Sequence, residues 1–200
     1  SFFFGLVAAS IIFVGKEITK WNLATVIILF FGAGLAYFIT TLPASENTAS
    51  LPYLFMSGAL AVCAMILPGI SGAFILVLLG SYKTILDAVH ERDIKIVITV
   101  ALGAIFGLLS FAKLLKWMFS NYKNLTLALL TGFILGSLNK IWPWKLILET
   151  KTIGDKVITL KEQNVSPFGF EGDPQLMYAI IAAIIGFSLI FILEKLASKK

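Results

Sequence analysis

From Leu23 to Leu42 the chain runs for twenty residues without one charged side chain. As a helix that run is about 30 Å long, the thickness of the hydrocarbon core of a bilayer. Similar apolar stretches cover residues 2–14, 53–86, 94–117, 125–138 and 176–193. Asp and Glu are confined to loops and ends, which argues against an intramembrane proton relay. Charged residues make up 14% of the 200 and apolar ones 58%, and the mean hydropathy is +0.94. A water-soluble domain carries about a quarter charged residues, so the figures exclude such a domain, a disordered chain and a basic nucleic-acid binder. The net charge of +5 reads as membrane-surface bias. The single Cys63 and single His90 leave no disulfide framework and make cysteine- or histidine-based metal sites improbable, so no metal and no cofactor is expected. The expected fold class is all-α, a polytopic integral membrane protein in one transmembrane domain over 1–200. The chain opens on Ser1 and is apolar from Phe2, which reads as a fragment of a longer membrane protein.

The stretch from Tyr53 to Leu86 is too long for one span, since 34 helical residues reach about 51 Å. Leu67-Pro68-Gly69-Ile70-Ser71-Gly72 interrupts it. Pro68 lacks an amide hydrogen and disfavours helix at Leu67, while Gly69 and Gly72 free the backbone. The spacing predicts half-helices over 53–67 and 73–86, each too short to cross alone. They form either a re-entrant pair or one broken span. The sixteen Lys and Arg divide evenly between the two sides in the re-entrant reading, which the distribution of acidic residues favours. In that reading 43–52 and 87–93 both lie outside. Residues 145–174 form a polar extramembrane insertion. Within it, 146–153 and 157–161 flank Gly154-Asp155-Lys156 and predict a small β-hairpin that packs on the membrane domain or a partner.

Chemistry points first to the break. Ser71 is a good N-cap whose hydroxyl reaches the Phe74 amide. The amides of Gly72, Ala73 and Phe74 then face the positive end of a helix, an arrangement that suits an anion and above all a phosphate. Pro68 and Gly69 shape the break, and Gly72 is expected to keep the anion position open. Broken helices at mid-membrane also build the substrate sites of many transporters. The segment is not a G-x-S-x-G nucleophile elbow, and Ser71 has no base nearby in sequence, so an enzyme is not expected. Gly136-Ser137-Leu138-Asn139-Lys140-Ile141-Trp142-Pro143-Trp144 closes the fifth apolar stretch. Trp142 and Trp144 suit the interface belt. Asn139 and Lys140 are weaker candidates for an anionic lipid headgroup. Gly32-Ala33-Gly34, Ser57-Gly58-Ala59 and Gly103-Ala104 with Gly107 read as helix-packing stripes. Asn22 reads as a helix N-cap, Cys63 and Met65 as core, and His90 as a loop residue.

Residues 63–82, Cys63-Ala64-Met65-Ile66-Leu67-Pro68-Gly69-Ile70-Ser71-Gly72-Ala73-Phe74 and onward to Tyr82, resemble the second half of the DUF368 membrane proteins. Residues 136–145 resemble that family's later signature. The resemblance implies recycling, by flipping, of undecaprenyl phosphate or a related polyprenyl phosphate across the bacterial cytoplasmic (inner) membrane. The implied partner is thus an anionic lipid in the bilayer, with no nucleic acid, and a homo-oligomer is compatible. The related Pro-Gly-x-Ser-Gly segment of the family's first half is absent, which fits a fragment. From composition alone, a transporter of another small anion or a non-transporting membrane scaffold stays open.

Overall fold

The computed structural model describes residues 1–43, 45, 50–153, 156–170 and 172–197. The Gly154-Asp155 turn and the Lys199-Lys200 tail fall outside the described residues, as do 44 and 46–49. The helices are α1 (Phe2–Lys16), α2 (Leu23–Thr41), α3 (Leu51–Ile66), α4 (Gly72–Leu78), α5 (Tyr82–His90), α6 (Ile94–Ser137) and α7 (Leu176–Ala197). Strands β1 (Lys145–Ile153) and β2 (Lys156–Asn164) lie between α6 and α7. The protein is an all-α polytopic membrane protein with one small sheet. Among the described residues, Leu23–Thr41, Ile94–Ser137 and Leu176–Leu193 are long and apolar enough to cross a bilayer. Two compact units divide the chain, 1–41 with 124–200, and 42–123.

In the first unit, contact runs through small residues. A Cβ added at Gly132 would come within 2.1 Å of the Leu29 carbonyl oxygen, and one at Gly136 within 2.2 Å of that of Ala33. Residue numbers rise together along α2 and the end of α6, so the two run parallel. On α1 and α7, Gly5 and Gly186 make the same kind of backbone contact with Ala183 and Phe2. Phe30 and Phe31 point outward instead, both more than half exposed. Lipid tails are as apolar as these rings, so large side chains gain little by turning inward, while small ones let helices close up. Asn22 caps α2 as expected, its Oδ1 accepting from the Thr25 amide at 2.8 Å and hydroxyl at 2.7 Å.

In the second unit the expected break is present. Leu67 is extended at ψ 127°, as a residue before proline should be. Gly69 takes φ 93°, a left-handed value that only glycine adopts freely. The chain then returns along α3. Gly72 packs on Ala61 and Met65. The Tyr53 hydroxyl donates to the Leu79 carbonyl at 2.7 Å, and the buried hydroxyls of Ser57 and Ser81 share a hydrogen bond of 2.8 Å. The Ser45 amide donates to the Leu78 carbonyl at 2.7 Å. Thus α4 ends beside the start of α3, and the pair is a hairpin with both open ends together.

Several expectations need correction. The half-helix 73–86 is not continuous. It stops at Leu78, and α5 leaves at 107° to α4. Gly80 is the cause, at φ 67°. Its amide donates to Val77 O and that of Ser81 to Leu76 O, the paired bonds of a glycine-terminated helix. His90 is not in a loop. It is the last residue of α5, with its ring Nδ1 2.9 Å from Leu86 O. Met65 is largely exposed rather than core. The expected separation between 94–117 and 125–138, by contrast, has a counterpart in α6, which is kinked at Tyr122 by a non-helical backbone (φ −136°, ψ 47°).

The hairpin in the insertion is antiparallel, pairing Lys145 with Asn164 and Ile153 with Lys156. Leu148 on one strand and Leu160 on the other fall outside the pairing, so two register shifts cancel.

Candidate functional site

At the break, Ser71 acts as the cap its sequence implied. Its backbone is extended and its Oγ accepts the Phe74 amide at 3.1 Å. Ser71 and Ala73 are exposed, and Gly72 is buried. The structure therefore brings Pro68, Gly69, Ser71, Gly72, Ala73 and Phe74 together at the tip of the α3–α4 hairpin. Gly72 has a different reason for being glycine than the one expected. A Cβ there would sit 2.7 Å from Met65 Cγ and 2.8 Å from the Ala61 carbonyl oxygen, so the missing side chain faces α3. Its absence lets α4 lie on α3. A bulky residue at 72 would separate the helices, as one at Gly58 would separate α3 from Val100.

The second candidate pair is also engaged in a way the sequence did not disclose. Lys140 Nζ donates to Glu162 Oε1 at 2.6 Å, and Lys145 Nζ reaches the same oxygen at 2.5 Å. Lys145 Nζ donates as well to the Lys140 carbonyl at 2.6 Å. Asn164 Nδ2 donates to both Asn139 Oδ1 and Asn139 O, at 2.6 and 2.8 Å. Asn139 and Lys140 are thus joined to strand β2. The two tryptophans share in this, because the indole N–H of Trp142 donates to Val165 O at 2.9 Å and that of Trp144 to Pro174 O at 3.0 Å. Their rings meet edge to face, 5.6 Å apart, and Trp142 meets Phe4 at 5.5 Å. The described contacts of the hairpin's base are thus with the segment 139–144 that leads into it.

Burial raises the Glu162 carboxyl, but hydrogen bonds and charge from Lys140 and Lys145 outweigh that and hold it below its usual range. Lys145 and Glu162 were missed as site residues. The signal available was weak: a lysine five residues beyond Lys140 at the start of β1, and a glutamate near the end of β2. A cavity of about 330 Å³ opens beside Trp144, with Pro143, Phe170, Pro174 and Tyr178 in its wall. Asp173 also lines it, which disfavours an anion there.

The family model that matches the chain is described as VCA0040-like, undecaprenyl phosphate translocase-like, and covers residues 1–158. A curated relative from Vibrio cholerae serotype O1, named polyprenyl-phosphate transporter, is 40% identical over 205 residues. That alignment takes in 100% of this chain and 66% of the relative. A relative of the same name from Staphylococcus aureus is 31% identical over 103 residues, 48% of this chain and 36% of the relative. The chain therefore spans just under two thirds of the first relative's length. No solved structure matches it.

Proposed function

The chain belongs to the undecaprenyl phosphate translocase-like family, and on that premise we propose that it forms part of a carrier for undecaprenyl phosphate or a related polyprenyl phosphate. In this reading the carrier moves the lipid across the bacterial cytoplasmic membrane as a multi-pass transporter and not as an enzyme. The physical problem it solves is narrow. A phosphate cannot enter about 30 Å of hydrocarbon unpaired, because burial of a lone charge is prohibitive. The isoprenoid tail needs no protein at all, so only the headgroup requires a polar resting place.

The observation that carries the reading is the folded-back α3–α4 pair, with its capped, exposed tip at Ser71. We assign the phosphate to the backbone amides of Gly72 and Ala73, beside the Ser71 hydroxyl that the Phe74 amide already engages, with Pro68 and Gly69 shaping the turn. The helix α4 has seven residues, so its dipole adds little and the amides themselves supply most of the attraction. Because α4 ends beside the start of α3, the segments 43–52 and 87–93 are assigned to the same, outer side.

The test is equilibrium binding of a polyprenyl phosphate to the full-length protein and two variants. Ser71→Ala removes a cap worth about 1 kcal/mol, so affinity drops by about fivefold at most. Ser71→Asp keeps a cap but places a carboxylate where the phosphate would sit, and should lower affinity further. Parent-like binding by Ser71→Asp would remove the phosphate from this position. A short-chain phosphate that bound as well as the polyprenyl one would favour a carrier of small anions.

A further inference from the structure

We propose that Lys113, Lys116 and Trp117 form a docking surface for anionic lipid phosphate headgroups, in the leaflet at whose level the tip of the α3–α4 hairpin opens. That a docked lipid goes on to the tip rests on the functional reading above; the surface and its level rest on the packing of α3 on α6.

The register of these two helices fixes the level. A Cβ on Gly103 would collide with the Phe55 carbonyl oxygen, and one on Gly107 with that of Ala59. The partners stand 48 positions apart at both contacts, so α3 runs parallel to the first part of α6. The Cys63 thiol, one turn on, donates to the Gly107 carbonyl at 3.6 Å, so the contact continues towards the tip. One further turn in the same register sets Leu67, where the break begins, level with Leu115. Lys113 and Lys116 stand on either side of Leu115 in sequence, and the non-helical Tyr122 lies beyond them.

The depth suits a headgroup. Lys113 and Lys116 come 19 and 22 residues after Ile94, the first residue of α6, which is about 29 and 33 Å along a helix. That is one thickness of hydrocarbon. Trp117 follows at once, 55% exposed, and tryptophans gather at the level of the headgroups. Positions 113, 116 and 117 are neighbours on one helix face, and it is not the face that Gly103 and Gly107 give to α3.

Charge selects the occupant. Both lysines are exposed, and among the described residues no carboxylate pairs with either. The carboxylates described in this unit, Asp87, Glu91 and Asp93, lie at the opposite end of the span, where α5 meets α6. Asp93 is already engaged there, its Oδ1 accepting from the Lys95 and Ile96 amides. A lysine at the membrane boundary lays its stem along lipid tails and keeps its ammonium among the headgroups, where the available anion is a lipid phosphate. A headgroup held there has the depth of the hairpin tip and reaches it by passing around α6, without a further descent into hydrocarbon.

The experiment measures binding to the full-length protein, in neutral detergent, of dodecyl phosphate and of zwitterionic dodecylphosphocholine. Three forms are compared: the parent, Lys113→Gln with Lys116→Gln, and Lys113→Arg with Lys116→Arg. Dodecyl phosphate should bind about five- to twentyfold more weakly to the glutamine form, as expected for two lysines at a charged surface, and as tightly to the arginine form as to the parent. Dodecylphosphocholine should bind all three alike. Undiminished binding of dodecyl phosphate by the glutamine form overturns the proposal, and so does an equal loss for both ligands. The level is read in sealed vesicles with an impermeant thiol reagent in a Cys63→Ala background. Ser71→Cys should react from the face that labels Ser120→Cys, and Ser45→Cys from the other; reaction of Ser71→Cys from the Ser45 side overturns the shared level. The functional reading fails separately. If Ser71→Asp binds a polyprenyl phosphate as the parent does while the glutamine form loses dodecyl phosphate, the tip is excluded and the docking surface stands.

Discussion

Gly32 and Gly34 stand two residues apart on α2, yet their replacement by alanine should have opposite effects. A Cβ on Gly32 would lie 2.6 Å from the Leu129 carbonyl oxygen and 3.2 Å from Leu129 Cδ1, while one on Gly34 meets nothing within 4 Å. The helix-propensity term is common to both, worth up to about 1 kcal/mol in favour of alanine. At Gly32 the obstacle is backbone, which cannot swing aside as a side chain would. The helices must part by several tenths of an ångström, and overpacking of this kind costs about 1–3 kcal/mol. The two variants should therefore differ by about 1–3 kcal/mol. At about 2–4 °C per kcal/mol for a chain of this size, the gap is about 2–12 °C in apparent melting temperature. Thermal stability of the detergent-solubilised protein, followed by the monodisperse fraction remaining after heating, reads this directly. Gly34→Ala should match or exceed the parent and Gly32→Ala should fall below it. Equal stability of the two would refute the claim that α2 and α6 are held at a distance only glycine allows.

Topology is checked by cysteines at Ser45 and Glu91 in a Cys63→Ala background. Both should react with an impermeant thiol reagent from the same face, and labelling from opposite faces would contradict the hairpin reading. Ser57→Ala and Ser81→Ala each leave a buried hydroxyl unpartnered and should cost about 1–3 kcal/mol. The double variant should cost less than the sum, which a double-mutant cycle on thermal stability measures. Glu162 titrates below its usual range in the folded protein, so its contribution is complete above the ordinary glutamate value of about 4.3. It is lost as pH falls through the lowered value. Protection of the hairpin from an acid-active protease should hold from pH 7 to about 5 and decline below about 4, and Glu162→Gln should lack that acid-dependent step.

Much of the architecture was legible in the sequence because the bilayer simplifies the problem. A run such as 23–42 has one sensible fate, and Pro68-Gly69 breaks helix by local covalent constraint. Ser71 and Asn22 were readable for the same reason, since a cap acts within three residues of itself. The corner at Gly80 went unread although its signal is equally local, a glycine followed by a serine inside an apolar run. The rest of the unread part depends on partners far along the chain. Nothing near Gly72 says that its missing side chain faces Ala61 and Met65. Nothing near Lys140 says that a glutamate 22 residues on will reach it. The spacing of β2 against the Trp142–Trp144 segment is set by tertiary contacts that neither periodicity nor composition encodes.

The α3–α4 pair is joined by side-chain hydrogen bonds at its open end, Tyr53 to Leu79 and Ser57 to Ser81. Mechanically it is a tuning fork turned around, clamped where its prongs would be free. Two stiff arms fixed there move least at that end and most at the bend, where Leu67 and Ser71 are extended and Gly69 is left-handed. Deformation is concentrated in the five residues from Leu67 to Ser71, next to the place assigned to the phosphate. A headgroup arriving there would press on the most compliant point of the unit, while the mouth of the hairpin keeps its shape.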